Sequence, residues 1–380
     1  MGTWLLSLTL LVSCMTPPLP NVDEDQEESP TEVIRPLSND LTIGYYRTLL
    51  PVVSSPTRGL VYSHLANRHD IAEFELSLMR ASTSFFDLET YYFQEGQHLA
   101  RDFVSALLRP ERPEADEDDI GQNPSIGTTA TIDNETVEST AENPLIFLSY
   151  LIEQNYLTKN ESGEPVLAGV SIGLALNPHH IIINPDYGFT QNLRLSDGEI
   201  LTIGERMAAD LLEIIREQEG LAAVPIMLGL YILEARDEVV PGRLAAKTLV
   251  AAGSSSINNW EAVEERHFLL PNSGVLEFDS NLLDEYNHFE NTLSEFYPHI
   301  YGMIGMAHFI DRQLYNLEIT INTEFYGLAE KLSFHQLAGE LVSGFSENYN
   351  ITIHIRSQRG AVGVILRPPN EDVIVRTISW

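Results

Sequence analysis

The sequence predicts an α+β protein with antiparallel sheet, preceded by a disordered acidic tether. Three observations predict it. Helical apolar periods alternate with short apolar strands along most of the chain. The last three strands, read at 351–356, 362–366 and 372–378, are joined by short Gly- or Pro-containing turns, which makes them an antiparallel meander. Val170-Ser-Ile-Gly-Leu-Ala-Leu176 and Ile226-Met-Leu-Gly-Leu-Tyr-Ile232 share an apolar-Gly-Leu pattern, a faint internal echo that fits two similar sheet strands as well as a duplication.

The elements follow in chain order. Trp4 to Val12 is an apolar stretch of signal-peptide length, too short to span a bilayer as a mature helix. It runs into Leu11-Val12-Ser13-Cys14, which matches a lipobox: an aliphatic residue, two small or short ones, then Cys. The pattern fits its chemistry, because a diacylglyceride is linked to the Cys sulfur and a peptidase then cuts just before it. Two or three acyl chains anchor stably where one does not. Residues 1–13 are therefore read as signal peptide, and 14–44 as the lipidated Cys14 and an acidic, Pro-rich tether. That tether carries six acids between Asp23 and Glu32, and it cannot bury enough surface to fold. The acidic stretch 110–143 holds Asp116-Glu117-Asp118-Asp119 and is read as a disordered surface loop.

Helices are expected from a capping-box-like Asp70-Ile-Ala-Glu73, over 97–109, from Asn143-Pro144 to about Asn155, over 204–219 and over 282–296. One more is expected from the capping box Ser333-Phe-His-Gln336. Strands are expected at 166–176, 224–233 and 317–322, before the closing three. In Ile351-Thr-Ile-His-Ile355 one face is apolar and the other wet.

Charge and cysteine usage exclude several functions. Lys and Arg number 22 against 55 Asp and Glu, a formal charge of −33, which leaves no basic footprint for nucleic acid. Cys14 is the single cysteine, so there is no intramolecular disulfide framework and no Cys-clustered metal site. No phosphate-cradling glycine motif and no zinc-ligand spacing occurs, and no metal or cofactor is expected.

Two candidate sites remain. Aromatic and charged residues concentrate between Thr57 and Gln97, where Arg58, Arg68, Tyr92, Gln94 and Glu95 are read as a ligand groove. Gly169-Val-Ser171-Ile-Gly173 matches G-x-S-x-G, so the alternative is an envelope hydrolase using Ser171. A nucleophile elbow needs a helix next, however, and Pro178 stands where that helix would begin.

The chain resembles the CamS sex-pheromone lipoprotein family of Gram-positive bacteria. The resemblance is carried by Arg58-Gly-Leu, Leu65-Ala-Asn-Arg68-His-Asp-Ile-Ala-Glu73-Phe-Glu75 and Tyr92-Phe-Gln-Glu-Gly-Gln97. Gly169-Val-Ser-Ile-Gly-Leu-Ala-Leu-Asn177, Val224-Pro-Ile226, Gly229-Leu-Tyr231 and Pro241-Gly242 add to it. It covers about 45–378 together with the lipobox. It implies two related halves, 45–190 and 191–380, with the divide near Gly188 to Asp197. It also implies that the apolar heptapeptide before the lipidated Cys can be trimmed and exported as a mating signal. Here that position holds Ser7, Leu8, Thr9, Leu10, Leu11, Val12 and Ser13, without the aromatic residue usual in the family. The expected place is the outer face of the cytoplasmic membrane. The expected partners are that membrane, through the lipid, lipoprotein-processing enzymes, and a peptide or cell-wall ligand. The folded domain is expected to bind rather than catalyse, since the resemblance brings no catalytic motif.

Overall fold

The structure is a computed structural model and describes residues 35–36, 44–61, 65–112, 119–183 and 190–378. Cys14, the segment Ser7 to Ser13 and most of the tether lie outside the described residues. The helices among the described residues are α1 (Arg68–Ser82), α2 (Arg101–Leu107), α3 (Asp197–Arg216), α4 (Leu282–Phe296) and α5 (Leu328–Val342). The strands begin with β1 (Arg35–Pro36), β2 (Arg47–Leu50), β3 (Tyr92–Glu95), β4 (Thr129–Ile132), β5 (Glu135–Glu138) and β6 (Leu148–Lys159). β7 (Pro165–Leu176), β8 (His179–Ile183), β9 (Thr190–Arg194), β10 (Ile226–Ile232), β11 (Arg243–Val250) and β12 (Glu261–Ala262) follow. β13 (Glu265–Leu270), β14 (Ile300–Ile310), β15 (Gln313–Thr323), β16 (Ile351–Ser357), β17 (Gly360–Arg367) and β18 (Ile374–Thr377) complete the chain. The mixed helix-and-sheet architecture is α+β, as the sequence predicts.

Of the two larger sheets, one has the order β1-β2-β3-β6-β7-β10-β11-β12 and the other runs β13 to β18 in sequence order, while β4-β5 and β8-β9 form two-stranded sheets. From β3 onward the two share one plan. Neighbours are antiparallel except at one seam, where β7 pairs with β10 and β15 with β16 in parallel. A parallel pair needs a crossover, and α3 and α5 supply it. The repeat therefore spans 92–262 and 265–377, each part with its own apolar cluster. This moves the divide from the expected Gly188–Asp197 to Ala262–Glu265, because β7 and β10, which flank the expected divide, are neighbours in one sheet. The sequence echo has the same origin. Gly173 pairs with Gly229, so the two stretches are adjacent strands rather than equivalents in two halves.

Each crossover helix ends at a buried arginine that satisfies orphan carbonyls. Arg216 donates to Leu221, Val224, Ala251 and Ser254. Arg367 donates to Val342, Phe345 and Ser346. α3 begins earlier than expected, at a capping box formed by Ser196 and Glu199.

Three expectations are corrected. The segment from Leu148 is strand β6, not helix. It is buried on both faces from Leu148 to Leu157, so its apolar run has no period to betray it. The stretch 119–143 is ordered. Asn123 donates to the carbonyls of Leu108 and Leu148 and accepts from the N–H groups of Phe147 and Leu148, while Ile132 and Val137 are buried. Residues 113–118, with most of the acidic run, lie outside the described residues. Ser333 sits inside α5, whose N-cap is Gly327.

Candidate functional site

α1 crosses the face of the first sheet opposite α3, and small residues make its seat. A Cβ at Gly173 would lie 2.7 Å from Phe74, one at Gly229 2.7 Å from Leu78, and one at Gly169 2.2 Å from Phe86. Ser171, fully buried, meets the Ser82 hydroxyl at 2.5 Å. The G-x-S-x-G match is therefore a notch in mid-strand that receives α1 and the residues after it. Ser171 occupies no turn, and among the described residues its hydroxyl meets Ser82 and Tyr156 rather than a histidine, so the structure gives the hydrolase reading no support.

The N-terminus of α1 is clasped to the loop after β10. The Asn67 side chain caps the helix through the His69 N–H, and its amide is 3.2 Å from each of the carbonyls of Ala235, Glu238 and Val240. Asp70 is buried and accepts from Tyr231 Oη at 3.0 Å and from the Gly242 N–H at 2.5 Å. Burial outweighs these bonds and pushes its carboxyl up to about 6. Gly242 must lack a side chain, because a Cβ would stand 2.1 Å from the Ile232 carbonyl. Much of the Leu65–Glu75 and Pro241-Gly242 patterning is thus structural.

Between α1, β3, β6 and the segment 45–61 lies a cavity of about 1000 Å³. Ile71, Leu76 and Met79 from α1, Phe93 from β3 and Tyr150 and Ile152 from β6 contribute to its wall. Arg58 and Glu95 form an ion pair at its edge, and Glu95 also accepts from the Ser55 N–H at 2.8 Å. Glu153 accepts the backbone N–H groups of Gln97, His98 and Leu99 at 2.8–3.1 Å. Gly96 gives it room, since a Cβ there would lie 2.4 Å from that of Glu153. Glu75 projects from α1. Its side chain lines the cavity and is exposed there. Partial desolvation by the surrounding wall, with repulsion from Glu95, raises its pKa, and Arg58 opposes the rise.

The sequence-predicted groove is only partly assembled. Arg58 and Glu95 line the cavity, whereas Arg68, Tyr92 and Gln94 do not. Strand alternation turns Tyr92 and Gln94 away from Phe93 and Glu95. Tyr92 packs with Leu49 and Leu157, beneath the Arg47 guanidinium at 4.5 Å from its ring centre. Arg68 is exposed on the first turn of α1. Glu75, though it closes the Leu65–Glu75 motif, and Met79, at helical spacing from Ile71, were not read as groove residues, and Tyr150 lay in a segment expected to be helix.

A second polar cluster joins the halves. Arg80 of α1 bonds Glu73 and, at 2.6 Å, Glu265 of β13. Glu265 accepts from His308 Nε2 at 2.8 Å and from the Leu244 N–H at 2.8 Å. These donors hold it down to about 2 despite its burial. His267 stacks on His308 with ring centres 4.1 Å apart, and burial, with His308 beside it, drives it to about 3. Among the described residues Glu73, His267 and His308 bring potential metal ligands within 4.8 Å of one another. Arg80 already supplies the cation for Glu73 and Glu265, so the cluster works as a charge latch between the halves.

The family model for the CamS sex pheromone cAM373 precursor matches residues 53–373. The chain belongs to this family. Among solved structures, it is similar to a sex pheromone precursor from Lactobacillus salivarius subsp. salivarius UCC118. The identity is 22% and the TM-score 0.79, covering 91% of this chain and 99% of that one. The C-terminal domain of the sex pheromone staph-cAM373 precursor from Staphylococcus aureus is 23% identical with a TM-score of 0.68, covering 83% of this chain and 99% of that one. At these identities the likeness concerns the fold. A search of curated proteins finds no match. No helix among the described residues is long and apolar enough to cross a membrane.

Proposed function

We propose that this CamS-family chain is a lipoprotein anchored through Cys14 at the outer face of the cytoplasmic membrane. In this reading Ser7 to Ser13 is released as a pheromone-like heptapeptide, and the folded part binds a ligand in the cavity beside α1. The cavity carries the binding reading: at about 1000 Å³, with apolar walls and a few placed polar groups, it has the size and make-up of a ligand pocket. The lipobox ending in Cys14 supports anchoring, and the family's name supports release of a peptide. With Ser171 buried in the α1 seat, a binding module fits the molecule better than an enzyme.

Intact-mass and peptide mass spectrometry on producing cells and their medium test the first two parts. Diacylated Cys14 in the membrane fraction with free Ser7–Ser13 peptide outside is the expected result. Lipid without peptide removes the pheromone role, and an unmodified Cys14 in soluble protein overturns the anchor. For the cavity, the neutral dye Nile red should brighten on the wild-type protein and lose most of that signal on Ala72→Trp, which fills the space. Equal signals from both proteins would place the dye elsewhere and sink the cavity reading.

A further inference from the structure

The charged side chains lining the cavity are Arg47, Arg58, Glu75, Glu95 and Glu153. Four are engaged within the protein. Arg58 and Glu95 neutralise each other, and Glu153 is held by three backbone N–H groups. Arg47 donates to the Glu89 carbonyl and lies over Tyr92. Glu75 is different. Its backbone carbonyl accepts from Gln154, but among the described residues its carboxylate has neither a hydrogen-bond donor nor an ion-pair partner.

We propose that the cavity takes a ligand with an apolar body and one cationic nitrogen, the nitrogen seated against the Glu75 carboxylate. The proposal rests on the ligand-binding reading above and adds the sign of the ligand's charge. Burial of apolar ligand surface drives entry. The exposed Glu75 carboxylate has no donor from the described residues, and an ammonium group would supply one, together with the opposite charge, through a short charge-assisted bond. A neutral hydroxyl head could donate one hydrogen bond to Glu75 but would leave its charge uncompensated. An anionic head would meet Glu75 and Glu95, and could gain Arg58 only by breaking its pair with Glu95. The wall therefore ranks three heads on one tail as amine, then alcohol, then carboxylate.

The test uses the full chain with decylamine, decan-1-ol and decanoate at neutral pH, each below its aggregation concentration, read by isothermal titration calorimetry. Decylamine should bind up to about fivefold more tightly than decan-1-ol, the range of an ion pair at an exposed site, with decanoate weakest. Glu75→Gln should reduce that advantage to about twofold or less while leaving decan-1-ol unchanged. Because the chain carries −33 overall, Glu205→Gln on exposed α3 surface serves as the control and should leave the ranking intact. Equal binding of all three, tightest binding by decanoate, or an amine preference that survives Glu75→Gln would overturn the cation assignment and leave the cavity as an apolar site. Failure of all three tails to bind would instead overturn the ligand-binding reading beneath it.

Discussion

The sheet of 92–262 and the sheet of 265–377 share strand senses and a crossover helix, yet they differ on the face turned away from that helix. In the first, α1 covers it. From Gly169 on, β7 is buried on both sides, and its glycines let α1 and the residues after it approach. In the second, no helix among the described residues lies there. Glu318 and Asn322 of β15 and Arg356 of β16 are exposed, while Leu317, Ile319 and Ile321 are buried behind them. One strand plan thus serves as the middle of a three-layer stack and as one wall of a two-layer one. Small residues on the outer face decide which. The added layer also creates the cavity, since α1 contributes much of its apolar wall.

The comparison can be broken most forcefully at Phe74, which is fully buried in the notch at Gly173. Phe74→Ala should cost about 3–5 kcal/mol in urea unfolding. A loss under about 1 kcal/mol would mean that α1 is an ornament on the first sheet. The latch comes next. Glu265 is held from 4.5 down to about 2, so its contribution is full above pH 4.5 and is lost as the pH falls towards 2. That amounts to about 3 kcal/mol. His267, lowered from 6.5 to about 3, loses stability in the same direction over a higher window. Asp70, raised from 3.8 to about 6, works oppositely: its share is full below 3.8 and is lost as the pH rises to 6. Glu265→Gln should therefore show a shallower loss of unfolding free energy below pH 4.5 than wild type, and matching slopes would refute the latch. Gly173→Val, whose added carbons meet Phe74 and Ile152, should cost about 1–3 kcal/mol by thermal unfolding. Thr320→Val on the open face of β15 should stay within about 0.5 kcal/mol. A large effect there would reveal a covered face.

How much of this was legible depended on whether the signal was local. The helix expected over 282–296 matches α4, because Leu282, Tyr286, Phe289 and Leu293 share one buried stripe. β16 was equally clear from its alternation. β6 was hidden by burial on both faces. The start of α5 was hidden by Leu328 and Leu332, which are exposed apolar residues on a helix whose first turns show no inward stripe. The 119–143 stretch was misjudged because composition cannot see that one residue, Asn123, ties it to the end of α2 and the start of β6. At the site, Arg58 and Glu95 were readable as a charged pair in an aromatic neighbourhood. Glu75 was visible only once α1 lay across β6, because the cavity is a product of packing between elements far apart in the chain.

The parallel seam at the centre of each sheet also sets a kinetic order. Val170 must wait for Ile226, with β8, β9 and α3 in between, whereas Leu317 needs only α5 and its turns before meeting Ile351. Loop closure slows as the excursion lengthens, and sheets built on distant partners form late. The half of the chain made last therefore has the shorter path to its seam, and the half made first completes its sheet only after a longer search.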